Sequence, residues 1–94
     1  MPRLAVERDP KRAAAHWLRA AGSGQVGAQF HIGVAYDVGA GVEIDRLESA
    51  FWLSLAAPQE ELAAIYLETV ESRLSRTEKI ELEARLRAAN RPLS

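Results

Sequence analysis

The sequence predicts an all-α fold, and three observations carry that prediction. Apolar residues make up 48% of the 94-residue chain, alanine leads them, and β-branched and aromatic residues are few. Apolar positions recur at helical spacing in every segment long enough to judge, and no stretch alternates as a strand does. Short Gly-, Pro- or Ser-containing breaks separate those segments, and short connections imply antiparallel helical neighbours.

Each element has a local reason. Asp9-Pro10 starts a first helix over about Pro10–Ala21, because Asp accepts from free first-turn amides and Pro needs no amide partner there. Its apolar side is Ala13, Ala14, Trp17, Leu18 and Ala21, and Gly22-Ser23-Gly24 ends it. A second helix over about Gln25–Val38 carries two stripes, Ala28-Ile32-Ala35-Tyr36 and Phe30-Val34, and stops at Gly39-Ala40-Gly41. Asp45 caps a third, about Arg46–Ala57, with Ser49, Trp52, Leu53 and Ala56 inward. Pro58 is expected to open a fourth, about Gln59–Arg73, with Glu60 and Glu61 in its first turn and Leu62, Tyr66, Val70 and Leu74 on its buried face. Ser75-Arg76-Thr77-Glu78 has capping-box spacing and starts a fifth that reaches about Ala89, with Ile80, Leu82, Leu86 and Ala89 inward.

The chain also repeats. Val6-Glu7-Arg8-Asp9 echoes Val42-Glu43-Ile44-Asp45 at a spacing of 36, and His16-Trp17-Leu18 echoes Phe51-Trp52-Leu53 at 35. Two helices per period of this length signal a tetratricopeptide-like (TPR-like) array. The residues Ala28-Gln29, Ile32-Gly33, Tyr36, Gly39-Ala40-Gly41-Val42, Asp45, Trp52 and Ala56-Ala57 resemble the unit of the Sel-1-like repeat family in identity and spacing. The resemblance divides a single domain over 1–94 into a half repeat (9–22), a full repeat (25–57) and a degenerate C-terminal capping hairpin (59–89). It implies a short right-handed α/α superhelix of about five antiparallel helices. It also implies a protein-binding adaptor of a bacterial signalling or regulatory complex. Gly33 is expected to let two helices approach closely, Gly39 and Gly41 to form positive-φ turns, and Trp17 and Trp52 to act as structural plates.

Charge narrows the partner. Residues 1–36 carry five basic and two acidic side chains, residues 37–71 one and eight, and residues 72–94 six and three. Basic ends around an acidic middle suit protein partners or self-association, whereas nucleic acid requires a continuous basic face. The absence of cysteine excludes disulfides and thiol ligands. Without a signal-like or membrane-spanning apolar run, the chain reads as cytoplasmic, or periplasmic if it is part of a longer protein.

Enzyme chemistry finds no footing in the sequence. Gly22-Ser23-Gly24-Gln25-Val26-Gly27 matches the dinucleotide fingerprint formally, but it follows a predicted helix rather than a strand, so no cofactor is expected. His16 and His31 lie on different helices without metal-ligand spacing. The candidate binding face is therefore the part of the second helix that is not packed inward: Gln29, Phe30, His31, Val34 and Asp37. Phe30 and Val34 need a cover, from a partner or from the first helix. The alternative function is a self-associating, homodimeric structural protein, since a first helix without its hairpin partner leaves Trp17 and Leu18 to be covered.

Overall fold

The computed structural model describes residues 9–90, and Val6, Glu7 and Arg8 of the first repeat echo lie outside them. Among the described residues there are five helices and no strand: α1 (Pro10–Gly22), α2 (Val26–Val38), α3 (Arg46–Ala56), α4 (Glu61–Glu71) and α5 (Arg76–Ala89). Helix α1 packs on α2, α2 packs on α3, and α3 carries both α4 and α5.

The helix starts are local events. The Asp9 carboxylate accepts from the Arg12 amide at 3.0 Å, and that of Asp45 accepts from the Glu48 amide at 3.0 Å. Ser75 and Glu78 close a reciprocal capping box, at 3.1 Å and 2.8 Å. The fourth start differs from expectation. Pro58 lies in a turn that continues to Gln59, and Glu60 is the extended N-cap, its side chain accepting from the Leu62 amide at 3.4 Å. Proline fixes its own φ, but Glu60 supplies the acceptor that the free amides need.

Helices α2 and α3 lie close together because Gly33 has no side chain. A Cβ there would stand 2.8 Å from Leu53 Cγ and 3.3 Å from the Ser49 carbonyl. Ser49, fully buried, donates to the Gly33 carbonyl at 2.6 Å, so its hydroxyl is satisfied across the same contact. At the end of α2, Gly39 and Gly41 are left-handed, with φ of 78° and 81°. A Cβ on Gly41 would collide with the Pro10 carbonyl, so the α2–α3 loop rests backbone to backbone on the first turn of α1.

The core has two parts. One is Ala14, Ala21, Ala28, Ile32 and Ala35, covered by Trp17, Tyr36, Val42 and Trp52. The other is Ala50, Leu53, Ala56, Ala63, Val70, Leu74 and Leu82, with Phe30, Phe51, Tyr66 and Leu86 against it. Three predicted apolar faces need correction, the first at Leu18 on α1, which is exposed. Leu62 on α4 is 61% exposed and Ala63 takes its place, while Ile80 on α5 is 64% exposed and Ala89 is also exposed. The rest of the α4 and α5 faces is inward as expected, with Val70, Leu74 and Leu82 buried and Tyr66 and Leu86 packed against them, so the corrections fall toward the ends of the helices.

Candidate functional site

A groove of about 310 Å³ runs along α2 between α1 and α4. Its walls are Trp17 from α1, Phe30, His31, Val34, Ala35 and Val38 from α2, Ala40 from the loop, and Tyr66 from α4. The helical pitch explains the α2 contribution, because positions 31, 34, 35 and 38 repeat at the spacing of one face. The floor is made of alanine and valine and the walls are largely aromatic.

The aromatic walls are held in place. His31 lies flat against Trp17, with ring centroids 5.0 Å apart and planes inclined by 18°. Phe30 meets Tyr66 edge-on at 6.4 Å. The Tyr66 hydroxyl donates to Asp37 Oδ2 at 2.9 Å, across from α4 to α2. Asp37 Oδ1 faces Arg46 Nε and Arg73 Nη1, each at 3.8 Å, which is ion-pair rather than hydrogen-bond distance. One buried carboxylate thus ties α2, α3 and α4 together at the edge of the groove.

That arrangement raises the Tyr66 phenol above its ordinary value, first through burial, then through its hydrogen bond to Asp37 and the Asp37 charge, with Arg73 opposing. Tyr36, on the other side of α2, is also raised, first by burial, then by Glu48 and Asp45 against Arg85. Both phenols therefore stay protonated at physiological pH, and that of Tyr66 donates to Asp37.

The five residues expected on the binding face divide. Phe30, His31 and Val34 line the groove. Gln29 and Asp37 do not belong to an open face: both are buried, Gln29 donating to the Ala21 carbonyl at 3.3 Å and Asp37 holding Tyr66. Their polarity marks internal hydrogen bonding rather than exposure. The repeat-signature residues occupy structural positions. Ala28, Ile32, Gly33 and Ala56 are buried, Tyr36 is half-buried, and Gly39, Gly41 and Asp45 shape the loop and cap. Trp52 is also half-buried, its indole N–H enclosed without an acceptor, while Trp17 is both core cover and groove wall.

Sequence reasoning missed Val38, Ala40 and Tyr66 as groove residues, and it placed Trp17 and Ala35 only in structural roles. The spacing of Val34 and Val38 was the available signal for one of them. Tyr66 had none, because its partner Asp37 is distant in the chain. Among the described residues, no group of three His, Asp or Glu side chains is placed to hold a metal ion, and no helix is long and apolar enough to cross a membrane. Comparison with protein families, curated proteins and solved structures gave no match.

Proposed function

We propose that the chain is a non-enzymatic protein-interaction module of the Sel-1-like, TPR-like kind, which binds an apolar or aromatic segment of another protein along α2. The observation that carries this reading is the groove itself: it is open, apolar, and walled by Trp17, Phe30, His31 and Tyr66. Rings anchored by stacking and by the Tyr66–Asp37 hydrogen bond offer contact area at little ordering cost, as binding surfaces require. The repeat resemblance of Ala28–Ala57 supports an adaptor role in a bacterial signalling or regulatory complex, with the helices arranged as a short right-handed superhelix.

Val34→Glu and Val38→Glu test the assignment. Val38 is 57% exposed and Val34 is partly exposed, so a carboxylate at either site charges the groove without entering the core. Both variants are expected to keep the helical circular-dichroism spectrum and to lose the partners that the parent protein captures. Two folded variants that retain every partner would show that binding lies elsewhere.

A further inference from the structure

The outer faces of α1 and α4 match each other in charge and in spacing. Helix α1 carries Lys11, Arg12 and Arg19 and no acid, whereas α4 carries Glu61, Glu68 and Glu71 and no base. Arg12 and Arg19 are exposed and seven residues apart, so they lie on one face about 10 Å from each other. Glu61 and Glu68 are also exposed and also seven apart. Each charged row has exposed apolar residues beside it, round the helix from the charges. On α1 these are Leu18, 38% exposed, and Ala15; on α4 they are Leu62 and Ile65, 61% and 56% exposed.

Among the described residues neither face finds its complement within the chain, because α1 packs on α2 and α4 packs on α3. The only internal ion pair of Arg12 among those residues is a local one to Asp9 at 3.9 Å, made by a side chain that is 79% exposed. Such a contact contributes little and leaves the guanidinium available.

We infer that α1 of one copy docks on α4 of a second copy, with Leu18 set between Leu62 and Ile65 and the Arg12/Arg19 pair opposite Glu61/Glu68. Each copy offers both faces, so the pairing closes as a reciprocal two-fold dimer where both contacts form between the same two copies, and otherwise runs head to tail into a chain or a ring. One helix-to-helix contact buries less than a standard interface, so the association is weak, concentration-dependent and sensitive to salt. The surface is distinct from the groove, whose α1 and α4 walls are Trp17 and Tyr66.

Charge reversal provides the test. Sedimentation velocity on the parent protein, from micromolar to millimolar, is expected to show growing species that fall apart in molar salt. Arg12→Glu/Arg19→Glu makes both faces acidic, and Glu61→Arg/Glu68→Arg makes both basic; each variant alone is expected to associate at least about tenfold more weakly. An equimolar mixture of the two restores opposite charge at every contact and recovers association. These positions are exposed, and an unchanged helical spectrum verifies that each variant is folded. A parent protein monomeric at millimolar concentration overturns the inference. Reversed variants that associate as the parent does, or a mixture that fails to recover, overturn the pairing of α1 with α4.

Discussion

Replacing Gly33 by alanine sets two effects of similar size against each other, and the structure decides between them. Alanine favours a helix interior by about 1 kcal/mol over glycine. Against that, the new methyl would lie 2.8 Å from Leu53 Cγ and 2.9 Å from Leu53 Cδ2. Leu53 is fully buried, so its branched carbon cannot move aside without displacing neighbours in the core. Overpacking of this kind costs about 1–3 kcal/mol. Moving α3 outward to relieve it stretches the Ser49–Gly33 hydrogen bond, now 2.6 Å, which contributes about 1 kcal/mol. The net expectation is a loss of about 1–2 kcal/mol, lowering Tm by roughly 5–15 °C for a domain of this size. Gly27 lies in the same helix, and a methyl group there would meet nothing within 4 Å, so Gly27→Ala is expected to leave Tm unchanged or raise it. Thermal denaturation followed by circular dichroism measures both variants. If Gly33→Ala matches or exceeds the parent in Tm, glycine at 33 does not set the α2–α3 spacing.

The same contacts yield three more expected outcomes. Asp37→Ala removes the acceptor of Tyr66 and the anion between Arg46 and Arg73, and is expected to cost about 2–3 kcal/mol in urea unfolding; Tyr66→Phe costs about 1 kcal/mol, and the double variant is less destabilised than the sum. The Tyr66 and Tyr36 phenols are raised above 10.0 in the folded chain, so the folded state holds their protons more tightly, and stability is expected to decline as pH rises from 10 through the raised values; Tyr66→Phe flattens that decline, as a urea series at alkaline pH will show. Ser75→Ala breaks the capping box and is expected to cost about 1 kcal/mol, with hydrogen exchange accelerated first in the opening turn of α5.

The helices were legible in the sequence because their signals are local. Asp9, Asp45 and Ser75 cap residues only three positions away, and Gly33 and Gly39 declare themselves without reference to a partner. The errors arise where position is decided across the fold. Leu62 and Ala63 are adjacent apolar residues on α4, and only the direction of α3 determines which is buried. Gln29 and Asp37 read as surface residues because they are polar, yet their partners, the Ala21 carbonyl and the Tyr66 hydroxyl, come from other helices. Three of the eight groove residues were visible in Phe30, His31 and Val34, which share one helix. The opposite wall was not, because no spacing within the sequence links Trp17 to Tyr66.

The unequal anchoring of the helices has a kinetic consequence. Helix α3 is held from three sides, by α2, α4 and α5, whereas α5 rests chiefly on α3 through Leu82 and Leu86. Contacts among successive helices are near in sequence, which favours rapid folding. The least-held element joins last and leaves first, so α5 forms its own cooperative unit with an opening free energy below the global one. Amide protection should therefore fall into two tiers, with α3 slowest to exchange and α5 fastest among the five helices. A segment bound against Trp17 and Tyr66 is therefore expected to slow exchange in α1 and α4, which wall the groove, and to leave the fast tier at α5 unchanged.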